Sequence, residues 1–299
     1  MAELADALDL GSSEITLVWV QLPPLTHLLI RVTIAPMDIK TDKQVKSTAY
    51  IKVSVPAKEI NQFKNQAITQ LASQVTVKGF RQGKAPLKLA QEKIDPQKVN
   101  QKILDQVLQQ AVVSSIKDNK LDIIGRPKLE NLKIDKTPWT FTLAFPLLPE
   151  IKLGNYQTSI KAILKKTAKQ NRQQQISAII DSLVKKATFE ISPVLIEQEV
   201  NYSLNRLAQQ AKGLNLELQD YLKAVKKTVD QIKKEYQQQA ETTLKGDLIL
   251  STIAHQEKIT ASDKDIEQLA KTANIPPQRQ AELEPVIIRQ KTIDFLLNL

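Results

Sequence analysis

Cysteine is absent from the sequence. That removes disulfide staples, thiolate metal sites and cysteine nucleophiles, and it leaves a reducing cytosol as the default setting. Histidine is almost absent too. With two in the chain, nearly every metal ligand or general base would have to come from Asp and Glu, and no tight cluster of carboxylates with histidine occurs. Glycine numbers 7 and aromatics make up 4% of residues, against an average glycine share of about 7%. Long helices with few tight turns fit that deficit, and an all-β fold does not. Also missing is any run approaching the roughly 20 uninterrupted apolar residues that a spanning helix needs. The most apolar stretch, residues 15–36, is broken by Pro23, Pro24, His27 and Arg31. Ahead of it stand Glu3, Asp6, Asp9 and Glu14, where a secretory leader would be basic. It reads as neither signal nor anchor. Residues 1–46 are expected to be an N-terminal extension, disordered or upstream of the true start, for which Met37 is a candidate.

What is present suffices for two domains of ordinary size with unstapled cores, since the chain has 299 residues. Lys and Arg total 42 against 32 Asp and Glu, a net charge of +10, which suggests an anionic partner such as RNA or a lipid surface. A merely soluble, charged protein has the same balance.

From Ser47 to Val55, Ile51, Val53 and Val55 alternate with Lys52 and Ser54, the period of a strand with one wet face. Pro56 ends it and can open a helix carrying Ile60, Phe63, Ala67 and Leu71 at helical spacing. Residues 96–119 carry two adjacent apolar rows, one through Val99, Ile103 and Val107 and one through Leu104, Leu108 and Val112, which predict a long helix. Strand candidates follow at "LDIIG" leading into "RPKL", and at Trp139, Phe141, Leu143 and Phe145, which alternate with Thr140, Thr142 and Ala144. Residues 47–155 therefore read as an α+β domain and 156–299 as an all-α domain. In the second, Ile176, Ile180, Leu183 and Ala187 line one helix, and Ser192 with Pro193 caps another whose inner face is Ile196, Val200, Leu204, Leu207 and Ala211. Leu222, Val225, Val229, Ile232 and Tyr236 step by three and four, the spacing of a seam between helices, and helices are expected at 263–273 and 281–299. The polar "KQNRQQQ" at 169–175 suits either a solvated helix or a hinge.

One decapeptide stands apart, "VKGFRQGKAP" at 77–86. It is not a P-loop, because Gly79 and Gly83 enclose three residues where four are needed, and Ala85 stands where a magnesium-binding hydroxyl should follow Lys84. As a docking tip the chemistry fits better. Gly79 and Gly83 permit a tight turn, Phe80 supplies an apolar anchor, and Pro86 fixes the start of the next helix. Lys78, Arg81, Lys84 and Lys88 ring Phe80 with cations, and no acid occurs before Glu92. From composition alone, a solvated turn that binds nothing is the plainer reading.

The string itself, Gly79-Phe80-Arg81-x-Gly83-Lys84-x-Pro86, resembles the ribosome-docking signature of trigger factor, a chaperone family of the bacterial polypeptide exit. "IIGRPKL", "FTLAFPLLPEIKL" and "ISPVLIEQEV" are similar to later parts of the same family, so the resemblance runs from about Ser47 to Leu299. It implies an α+β ribosome-binding domain followed by a helical chaperone domain of the trigger factor and SurA type. It implies Lys78, Gly79, Phe80, Arg81, Gln82, Gly83, Lys84 and Pro86 as ribosome-binding residues. The partners implied are the large ribosomal subunit, through an exit-tunnel protein and nearby rRNA, and nascent polypeptides. No cofactor, metal, membrane or small-molecule substrate is implied, and the location would be cytoplasmic and partly ribosome-associated. The position after Arg81, often Lys in the family, is Gln82 here, which implies weaker or more salt-sensitive docking. Family members commonly carry an FKBP-type prolyl isomerase domain between the two parts. Here Tyr156 is the one aromatic between Phe145 and Phe189, so a short, non-enzymatic form is expected. An exported SurA-type chaperone and a basic RNA-binding protein are the competing readings.

Overall fold

The computed structural model describes residues 37–299, so the apolar stretch at 15–36 and most of the expected extension lie outside the described residues. The described chain divides into two compact units, one ending at Leu147 and the other Leu148–Leu299.

The first unit is a four-stranded antiparallel sheet in the order β1-β2-β4-β3, formed by β1 (Asp38–Val45), β2 (Thr48–Val55), β3 (Lys128–Lys133) and β4 (Trp139–Pro146). The alternation in β2 and β4 has its expected consequence. Ile51 lies opposite Leu143 and Val53 opposite Phe141, so one face of the two central strands is apolar and buried. Against that face pack α1 (Ala57–Ala72), with Ile60, Phe63 and Ala67, and α3 (Pro96–Asn119), with Ile103, Val107 and Ala111. The bounds of α3 follow from local chemistry. Asp95 Oδ1 accepts from the Gln97 N–H at 2.9 Å, Pro96 occupies the first turn, and Lys120 adopts a left-handed conformation past the end. A short helix, α2 (Leu87–Gln91), lies between them in the chain.

The expected extension is corrected at its C-terminal end, because residues 38–45 form an edge strand of this sheet. β1 is exposed along almost its whole length and so shows no apolar alternation. Its turn is Lys46-Ser47, both at positive φ (49° and 50°), in a two-residue hairpin that ordinarily selects Asn-Gly. The strand expected at "LDIIG" is also corrected: Ile123 makes one isolated bridge to Leu147, and regular pairing begins at Lys128. Pro127, just before it, has no N–H to give a ladder.

The second unit is helical, with α4 (Tyr156–Lys166), α5 (Arg172–Lys186), α6 (Pro193–Gly213), α7 (Leu218–Ala224), α8 (Val229–Gln256), α9 (Asp263–Ala273) and α10 (Glu284–Leu297), the last preceded by a 3-10 turn at Pro277–Leu283. Asn171, Thr228 and Ser262 each close a reciprocal capping box with the residue three further on. The first of these resolves "KQNRQQQ" into a break followed by a new helix. The cap expected at Ser192 is present, with Oγ accepting from the Val194 N–H at 3.3 Å.

Burial is distributed. Ile160, Ile179, Leu183, Ile249, Ile253 and Leu296 form one cluster, Leu207, Leu222 and Ile232 a second, and Ala270, Leu283 and Ile287 a third. The expected seam from Leu222 to Tyr236 is not one helix. It breaks at residues 225–228, where Lys226 takes a positive φ of 55° and Thr228 starts α8, leaving Val225 and Val229 exposed. The inner face of α6 is likewise rotated. Val194, Leu195, Leu207 and Ala211 are buried, whereas Ile196, Val200 and Leu204 are only partly so.

Candidate functional site

The loop between α1 and α2 is built on a closed base. After α1 ends, the Gln82 side chain folds back and its Nε2 donates to the Gln74 carbonyl at 3.0 Å. Beside it the Gly83 N–H donates to the Val75 carbonyl at 3.4 Å. Gly83 has φ +71°, and a Cβ there would lie 2.6 Å from the Ser73 carbonyl oxygen, so backbone approach and conformation both demand glycine. Gly79 has φ +87° with open space around it, and its requirement is conformational alone. Between them the Phe80 N–H bonds the Val77 carbonyl at 3.0 Å and the Lys84 N–H bonds the Arg81 carbonyl at 2.9 Å. Pro86, with φ −53°, stands at the N-cap of α2.

This base turns Phe80 outward, 42% exposed. Lys78, Arg81, Lys84 and Lys88 are exposed as well, and among the described residues none of the four makes an ion pair. Elsewhere in the unit Lys52 pairs with Asp42 at 2.7 Å and Lys40 with Asp38 at 2.9 Å. The surrounding charge has the same sign. Residues 37–147 hold 19 Lys and Arg against 10 Asp and Glu, an excess of 9 within the chain's +10. An exposed ring with unneutralised cations about it is suited to an anionic surface offering an apolar recess.

All eight residues expected at the site thus lie on or beside one loop. Lys78, Phe80, Arg81 and Lys84 face solvent, Gly79, Gly83 and Pro86 set its path, and Gln82 is engaged with the loop's own backbone. Two exposed residues were missed, Leu87 (49%) and Leu89 (41%) on α2. "LKLA" after a proline carries no signal that distinguishes an exposed leucine from a core one.

The second unit holds two further features that periodicity did not reveal. Leu214, Leu216, Val225 and Val229 are exposed around the turns that join α6, α7 and α8. Within the helices, Glu199 of α6 is buried, and burial with the nearby Asp247 charge pushes its carboxyl up to about 7, against the opposing pull of Arg206. Asp247 of α8 is raised by burial, while Arg289 of α10, 3.1 Å away, favours its charged form.

Two family models match the chain. The bacterial trigger factor protein (TF) model covers residues 37–183 and the bacterial trigger factor protein C-terminus model residues 155–274. The matches overlap, so no segment of this chain separates them. Among curated relatives, trigger factor of Carboxydothermus hydrogenoformans is 32% identical over 198 residues, covering 60% of this chain and 46% of its own. Trigger factor of Macrococcus caseolyticus is 29% identical over 122 residues, covering 40% of this chain and 29% of its own. That of Rickettsia bellii is 33% identical over 105 residues, 35% and 23% respectively. The chain thus spans less than half the length of these relatives. A solved structure from work on promiscuous substrate recognition in folding and assembly activities of the trigger factor chaperone superposes with TM-score 0.60 at 13% identity. It covers 88% of this chain and 99% of that one, and it supports the fold.

Proposed function

Because the chain belongs to the bacterial trigger factor family, we propose that it is an ATP-independent chaperone that docks at the polypeptide exit of the large ribosomal subunit and shields nascent chains. The observation that carries the docking half is the loop at 77–86. Its ring is exposed, its cations lack ion partners among the described residues, and its base is closed by glycine-specific geometry. An exit-tunnel protein with acidic and apolar groups, with nearby rRNA phosphates, supplies what Phe80, Arg81 and Lys84 lack.

The helical unit supplies the shelter. Long Gln and Lys stems interspersed with Leu, Ile and Val cover apolar segments transiently, and the exposed Leu214, Leu216, Val225 and Val229 are its most apolar turns. Weak contacts at several places allow release without nucleotide. No isomerase step enters this reading, since the two family matches overlap in the sequence with no segment between them. The location it implies is cytoplasmic and partly ribosome-bound.

The test uses the full chain with purified subunits and a chemically denatured client. The protein is expected to co-sediment with large and not small subunits, to delay client aggregation without ATP, and to leave a proline-limited refolding rate unchanged. Failure to pellet with large subunits would remove the docking function. Equal affinity for naked RNA would favour a basic RNA-binding protein instead. Clear acceleration of proline-limited refolding would contradict the non-enzymatic reading.

A further inference from the structure

Gln82 occupies the position at which the resemblance leads one to expect a docking cation, yet its side chain, exposed like those of Arg81 and Lys84, folds back onto the loop's own backbone. It spans the mouth of the loop and bonds the Gln74 carbonyl at 3.0 Å, next to the longer 3.4 Å bond from Gly83 to Val75. The other bonds of the loop, Phe80 to Val77 and Lys84 to Arg81, are local turns and tie nothing across it. Gly79 and Gly83 give the segment wide backbone freedom. A loop with two such hinges loses that freedom when a partner orders it, and affinity falls by the cost.

We propose that Gln82 is a positioning residue rather than a ribosome contact: it clasps residues 82–83 onto 74–75, so that Phe80 and Arg81 stand outward before the partner arrives. This rests on the docking role proposed above for the same loop. A lysine here would add a cation to the interface, whereas Gln82 adds order and no charge. The salt dependence of docking is then shallower, because fewer ionic contacts are screened, in place of the greater salt sensitivity first expected. Ser73 contributes to the same arrangement. Its carbonyl lies against Gly83, and its Oγ donates to the Gln70 carbonyl at 2.6 Å, which fixes the end of α1 under the clasp.

The experiment replaces Gln82 by Met, which has similar length and no donor, in the full chain. Three quantities are read: amide exchange at residues 79–84 in the free protein, affinity for purified large subunits, and the same affinity in a Phe80→Ala/Arg81→Ala background. A solvent-exposed hydrogen bond contributes modestly, so exchange should rise about fivefold and affinity fall about fivefold, with the melting temperature unchanged. In the double-Ala background Gln82→Met should have no further effect, because a residue that acts by positioning Phe80 and Arg81 loses its role when they are gone.

Unchanged exchange in Gln82→Met, or an affinity loss of the same size in both backgrounds, would overturn the clasp. The exchange measurement needs no ribosome. If the native chain fails to bind large subunits, docking falls while exchange still decides the clasp. If the native chain binds and exchange does not move, the clasp falls and docking stands.

Discussion

The two units differ in how they bury apolar surface and where they hold charge. The first packs one face of its sheet and two helices into a single cluster, from Val55 and Ile60 through to Phe145. The second spreads its burial over separate clusters, of which the one at Leu207, Leu222 and Ile232 is small. Cations exceed acids by 9 in residues 37–147 and by 4 in residues 148–299. A loop that must present one ring and its cations in fixed directions needs a body that opens only as a whole. A surface for varied apolar clients gains from parts that yield independently. The comparison is between a platform and a set of separable contacts.

The largest expected effect lies in the platform. Phe145 is fully buried in the central strand, and Phe145→Ala should destabilise the first unit by about 4 kcal/mol. Calorimetry should show one early transition whose loss removes the whole sheet. Gradual melting of only the region around residue 145 would break the contrast.

Next in size is Arg289→Ala in the second unit. It removes the cation 3.1 Å from Asp247 and should cost about 3 kcal/mol, because an unpaired buried carboxylate remains. Denaturant unfolding followed by circular dichroism reads it, and Arg289→Lys should recover part of the loss.

A smaller effect separates the units by pH. Glu199 titrates near 7 in the folded chain against about 4.3 in an unfolded one, so between those values the folded state holds the extra proton. Stability from this group is therefore complete below about pH 4.3. It declines as the pH rises through 7, and is flat above. Glu199→Gln should stabilise the second unit at pH 8 by roughly 1–3 kcal/mol and change little at pH 4. Asp247 and Arg206, whose charges act on Glu199, are kept native. An equal gain at both pH values would mean that packing rather than charge is at work.

The smallest effect on global stability comes from Leu222→Ala, which should shift the main transition by less than about 0.5 kcal/mol. It should nevertheless speed amide exchange across residues 214–232. A global loss of the size typical for buried leucine, about 2–5 kcal/mol, would show that this cluster is not separable.

Much of this was legible from residues whose role is local. The bounds of α3 are marked by Asp95 and Pro96, the start of α6 by Ser192 and Pro193, and the central strands by strict alternation in Ile51, Val53, Phe141 and Leu143. The loop at 77–86 stood out because glycines are so few that two within five residues, with a phenylalanine between, are conspicuous. β1 was not legible, since an exposed edge strand has no apolar period and Lys46-Ser47 gives no hairpin signal. The break before α8 was hidden because apolar spacing runs on through Val225 and Val229 while the backbone turns. Its trace in the sequence was Thr228 with Gln231, a capping box whose donors and acceptors show only once the helix forms. The fold-back of Gln82 onto Gln74 depends on the path of the loop between them, and the meeting of Glu199, Asp247 and Arg289 depends on segments brought together by tertiary packing, which no window of sequence contains.

Docking of the 77–86 loop on the large subunit, as proposed, runs through Phe80 and Arg81 with Gln82 holding them in place. Equilibrium binding of the native chain and of Phe80→Ala/Arg81→Ala/Gln82→Ala to purified large subunits tests it most directly, with melting temperatures measured in parallel. The triple variant should lose at least tenfold in affinity, about 1.4 kcal/mol, with both units still folded. Equal affinity of the two proteins would contradict it.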